Sequence, residues 1–75
     1  MKQVISDILL FKTNIKSISG LNIIKSIFDK RETIHRWTID TEDIDCVLRI
    51  VSHSLRPNDV INEITQLGYY CAELE

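Results

Sequence analysis

The chain has 75 residues, 44% hydrophobic and 27% charged, and nine Lys and Arg against eleven Asp and Glu leave a formal charge of -2. That is the composition of a folded soluble domain, read as one unit over 1–75 that buries about 60% of the surface its unfolded chain exposes. Scattered basic residues argue against nucleic acid, Ile8-Leu9-Leu10-Phe11 is too short an apolar run for a leader or a membrane anchor, and two cysteines point to a reducing cytoplasm.

Leu9, Phe11, Thr13 and Ile15 alternate with Leu10, Lys12, Asn14 and Lys16, the period of two expected of a first strand with one better-buried face. Ser17-Ile18-Ser19-Gly20 breaks that pattern. From Leu21 the apolar residues fall at Leu21, Ile24, Ile27 and Phe28, one face of a helix. Ile23 lies at its margin, Ser17 or Ser19 serves as the cap, and the helix should fray in Asp29-Lys30-Arg31-Glu32.

Ile34, Trp37 and Ile39 mark a second strand, and Thr41-Glu42-Asp43-Ile44-Asp45 reads as a polar hairpin connection. The acidic stretch lacks the D-x-[DN]-x-[DN]-G pattern of a calcium loop. Cys46 to Val51 is a nearly continuous apolar run, expected as a central third strand with Cys46, Leu48 and Ile50 on one face. Pro57 suits the first position of a second helix, Val60, Ile61, Ile64 and Leu67 form its inner face, and Gly68 ends it. Tyr69 to Leu74 completes a short fourth strand.

The order is βαββαβ, α+β in class. Right-handed crossovers then favour a ferredoxin-like sandwich, a four-stranded antiparallel sheet in the order 4-1-3-2 with two helices on one face. The loop at Ser17, Cys46 and the segment Tyr69 to Cys71 should share one rim. Leu10, Val47 and Val51 should lie on the face without helices, where apolar side chains usually mark pairing with another subunit or domain.

Phe11-Lys12-Thr13-Asn14-Ile15-Lys16 before a helix, Trp37-Thr38-Ile39-Asp40, an acidic turn, Val47-Leu48-Arg49-Ile50, a Pro-started helix and Leu67-Gly68-Tyr69 together resemble heavy-metal-associated domains of the copper-chaperone type. The resemblance covers nearly the whole chain. It implies a ferredoxin-like fold, with Ile15 as the apolar support of a metal loop and Tyr69 packed beside it. In that family Cys-x-x-Cys holds a soft ion, but Ser17 and Gly20 stand at the two cysteine positions. A hydroxyl and a bare backbone do not replace two thiolates for Cu(I) or Zn(II). The metal function is therefore not expected at this loop.

The expected function is a non-enzymatic binding module that keeps the fold without its metal ligands and needs no cofactor. The alternative is a copper or zinc carrier whose non-standard site involves Cys46 or Cys71. Strand one should separate these two by about 10 Å, two strand spacings, so no disulfide is expected between them. His35 and His53 have no acidic or thiol ligand at suitable spacing and read as surface residues. Ser17, Asp40 and a histidine make no catalytic triad without a G-x-S-x-G elbow. The expected partner is another protein or a second copy of the chain. Trp37 and Lys16 are candidate contact residues, and Ser17, Ser19 and Gly20 beside Lys16 and Lys12 offer backbone N–H groups to an anion.

Overall fold

A computed structural model describes residues 8–74; the other residues of the 1–75 span read above as one domain lie outside the described part. The elements are β1 (Ile8–Thr13), α1 (Ile18–Phe28), β2 (Arg36–Asp40), β3 (Val47–Val51), α2 (Pro57–Gln66) and β4 (Cys71–Glu73). All strand pairs are antiparallel in one sheet of order β2-β3-β1-β4, which is 4-1-3-2 when read from the β4 edge. No helix among the described residues is long and apolar enough to cross a membrane.

The period of two in β1 puts Phe11 and Thr13 inward, and the register carries the same face to Leu48 and Ile50 of β3, Trp37 and Ile39 of β2, and Cys71 of β4. Ile24 and Phe28 of α1 and Val60 and Ile64 of α2 join these strand residues in a single core, so both helices cover this face. Ile8, Leu10 and Lys12 of β1 and Val47, Arg49 and Val51 of β3 point to the other side. Burial of a side chain such as Leu48 or Ile64 contributes roughly 1.5–3 kcal/mol, which for so short a chain makes this one layer the main source of stability.

Several boundaries differ from the sequence reading. The alternation through Lys16 outlasts the strand, which ends at Thr13; just beyond it the Asn14 side chain accepts from the Tyr70 amide at 2.9 Å. Ile15 is still fully buried. Helix α1 begins at Ile18, three residues before Leu21, because Ser17 is its cap and accepts from the Gly20 amide at 3.0 Å. Ile18 is 77% exposed, so the first turn has no apolar signature.

Cys46 is not part of a strand. It closes the hairpin loop with φ +44°, its amide bonded to the Asp43 carbonyl at 3.0 Å, a left-handed conformation that side chains other than glycine and asparagine seldom adopt. Pro57 does open α2, and the Asp59 carboxylate accepts from the Arg56 amide at 3.0 Å, meeting a donor the helix start leaves free. Leu67 lies at the C-cap and is 36% exposed, outside the buried helix face, and Gly68 takes φ +96°. β4 is confined to Cys71–Glu73, shorter than the segment expected from Tyr69 to Leu74. Arg31 pairs with Glu63, tying the connection after α1 to α2.

Candidate functional site

Three places bring together side chains with binding chemistry. The first is the rim at the end of β1. Buried Thr13 organises it: its amide donates to the Asp45 carbonyl at 2.9 Å, its hydroxyl donates to the Cys46 carbonyl at 2.8 Å and accepts from the Ile15 amide at 3.2 Å. The Ser17 loop, Cys46 and Tyr69–Cys71 are neighbours here, as the topology required.

The loop itself is closed. The hydroxyl of Ser17 is used in capping α1 and lies 3.2 Å from that of Ser19. Gly20 is buried, and a Cβ built on it would stand 3.0 Å from Tyr69 Oη, 3.1 Å from Ile15 Cγ2 and 3.2 Å from Ser17 Oγ. Ile15 supports the loop from below and Tyr69 covers it, so the space that a side chain at position 20 would occupy is filled by neighbours. Lys16 is exposed beside the loop.

The two cysteines flank β1. Thr13 pairs with Cys71 of β4, while its side chain bonds to the backbone of Cys46 on the β3 side. They are therefore about two strand spacings apart, roughly 10 Å. Both are free thiols in buried positions. Burial pushes the Cys71 thiol up to about 11, so it is protonated at neutral pH, whereas a metal ligand must be a thiolate. Among the described residues no group of three or more His, Cys, Asp or Glu side chains is placed to hold a metal ion.

The second place is the face of the sheet without helices. Strand pairing sets Val51 between Ile8 and Arg36, and Arg49 between Leu10 and Thr38. Ile8 and Leu10 are 43% and 39% exposed, and Val47 and Val51 are half-buried. A shallow depression of about 170 Å³ is lined by Arg36, Trp37, Thr38, Arg49 and Val51. Among the described strand residues, the cations Lys12, Arg36 and Arg49 are opposed on this face by the single carboxylate of Asp40. The face is therefore positive on a chain whose formal charge is -2.

Trp37, expected on the edge strand, lies mainly on the helical side of it. Its ring meets Phe28 edge-on at 5.7 Å and 87°, and its indole N–H donates to Asp29 Oδ1 at 2.8 Å. Lys25 also donates to the Asp29 carboxylate, at 2.9 Å, and these two bonds hold its pKa below the usual carboxylate value, Lys25 contributing more.

The third place was not anticipated from the sequence. His35 and His53 lie with ring centroids 4.7 Å apart and planes at 63°. They flank the β2–β3 pairing, and the register of that hairpin, Arg36 opposite Val51, was the information needed to find them. The same register puts Arg36 and Arg49 on diagonal positions of one face, a pair that a scan for basic runs misses. No protein-family model, curated protein or solved structure matches the chain.

Proposed function

We propose that the protein is a non-enzymatic interaction module, a ferredoxin-like domain of heavy-metal-associated type that has lost its metal ligands and binds an acidic segment of another protein on the helix-free face of its sheet. The observation that carries this reading is the combination of exposed Ile8 and Leu10 with Val51 and the two guanidinium groups around the depression. Guanidinium groups bind carboxylates bidentately, and neighbouring apolar area gains from exclusion of water. No outward position of β1 or β3 is aromatic, which favours a protein over a nucleic acid, because sheet-borne nucleic-acid recognition stacks bases on aromatic rings.

Two observations weigh against reading the Ser17 loop as a metal loop. Ser17 is engaged as a helix cap, and Tyr69 covers Gly20. The protonated Cys71 and its separation from Cys46 weigh equally against a thiolate pair. Two buried free cysteines suit a reducing compartment, and we assign the protein to the cytoplasm.

The test is a titration of the protein with a peptide of alternating Glu and Leu, followed by amide resonances. Shifts are expected at Leu10, Arg49 and Val51, together with their loss in R36E/R49E. Shifts confined to the Ser17 loop, or none at millimolar peptide, would overturn the assignment. Light scattering on the same samples distinguishes a second copy as the occupant: a concentration-dependent doubling of mass, abolished by L10E, would make the partner the chain itself.

A further inference from the structure

His35 and His53 are the only histidines of the chain, and the fold places both at the end of the sheet opposite the Ser17 loop. β1 and β3 are antiparallel, so the end of β3 lies beside the start of β1, away from Thr13 and Cys46. The His35 amide donates to the Val51 carbonyl at 2.9 Å and extends the β2–β3 ladder by one residue. His53 follows Ser52, which is 3% exposed and whose hydroxyl accepts from the Ser54 and Leu55 amides at 3.3 and 3.1 Å. Both backbones are therefore held in place, while both imidazoles are exposed to solvent.

We propose that His35 and His53 form a bidentate imidazole site for a borderline divalent transition metal of the Cu(II), Ni(II) or Zn(II) class. Metal–nitrogen bonds of about 2.0–2.1 Å at a tetrahedral angle require two ring nitrogens about 3.3 Å apart. Rings with centroids 4.7 Å apart and planes at 63° reach that spacing when their near edges turn toward a common point, the metal bonds replacing contacts that the two rings make without it. Imidazole suits this class of ion, whereas Cu(I) is better served by soft sulfur ligands. With no third His, Cys, Asp or Glu grouped there among the described residues, the remaining coordination positions belong to water or to a donor supplied by a partner. The site owes nothing to the loop where the heavy-metal-associated resemblance would look for metal.

Cu(II) is the probe of choice, because it heads the affinity order for nitrogen ligands. Trp37, the single tryptophan, stands two positions from His35 and reports binding by quenching. Titration of Cu(II) into the full chain near neutral pH is expected to quench Trp37 fluorescence saturably at one ion per chain. Either H35Q or H53Q alone should raise the apparent Kd by roughly 100-fold, because a chelate loses its effective concentration when one arm is removed. The double variant, left with no imidazole, should lose the saturable quenching altogether. An unchanged Kd in either single variant, or quenching that never saturates in the wild type, would overturn the proposal. If a variant unfolds, Zn(II) titration of the wild type decides by the imidazole ring protons: joint stoichiometric shifts of both histidines support the site, and movement of one or neither refutes it.

Discussion

Substituting Gly20 by alanine opposes two effects that usually go together. In a helix, alanine is preferred to glycine by about 1 kcal/mol, and position 20 lies in the first turn of α1, where that gain is smaller. Against it, the new methyl would meet Tyr69 Oη, Ile15 Cγ2 and Ser17 Oγ at 3.0, 3.1 and 3.2 Å, closer than ordinary van der Waals contact. Ile15 is fully buried and cannot withdraw, so part of the strain stays in the structure. Overpacking of this kind costs about 1–3 kcal/mol, which leaves Gly20→Ala destabilising by about 1 kcal/mol. In a domain of this size that corresponds to a fall in Tm of about 4–8 °C.

Urea unfolding of Gly20→Ala, Tyr69→Phe and the double variant forms the cycle that tests the mechanism. Removing the Tyr69 hydroxyl eliminates the shortest contact, so Gly20→Ala should cost about 0.5–1 kcal/mol less in the Tyr69→Phe background, a coupling of the size expected for touching residues. A net stabilisation by Gly20→Ala in the wild type, or the same cost in both backgrounds, would refute the reading of Tyr69 as the cover of the loop.

Ser17→Ala removes the α1 cap and should destabilise by about 1 kcal/mol, read from the urea midpoint at unchanged slope. Asp29 has a folded pKa below its ordinary 3.8, so its contribution is present above pH 3.8 and disappears as the pH falls through the folded value. Acid unfolding followed by Trp37 fluorescence should show that loss, and Asp29→Asn should remove it, together with the Trp37 environment that its bond maintains. Cys71 has a raised pKa, so its contribution is intact below 9.0 and declines as the pH rises toward about 11, because the unfolded chain ionises first. Comparison with Cys71→Ala between pH 8 and 11 checks the sign. Maleimide labelling of the native protein at neutral pH should be slow at both buried cysteines and become fast in urea.

Periodicity made the sheet and helix faces legible, since the alternation from Leu9 to Thr13 and the helical spacing of Ile24, Phe28, Val60 and Ile64 report which side meets the core. Boundaries depended on individual hydrogen bonds that periodicity does not contain. Asn14 and Lys16 continue the alternation, yet the strand ends at Thr13 and the Asn14 side chain accepts from the Tyr70 amide. Cys46 has the parity of a strand residue but takes the left-handed conformation that closes the hairpin. Both candidate sites beyond the loop, Arg36 with Arg49 and His35 with His53, depend on hairpin register, and an error of one residue would turn the side chains of β2 to the opposite face.

The Ser17 loop shows why a missing motif and a missing function are different observations. Absence of two cysteines removes a thiolate site, but by itself it would be equally compatible with an open cavity awaiting another ligand. The packing distinguishes these cases. Ser17 uses its oxygen on the Gly20 amide, and Gly20 leaves the volume into which Tyr69 and Ile15 close. A cysteine at position 20 would have to displace Tyr69 before its sulfur could reach an ion, so S17C/G20C alone should bind Cu(I) weakly, whereas adding Tyr69→Ala should strengthen binding. Competition with a chromophoric Cu(I) chelator measures the difference, and equal affinity with and without Tyr69 would show that the aromatic ring does not obstruct the loop.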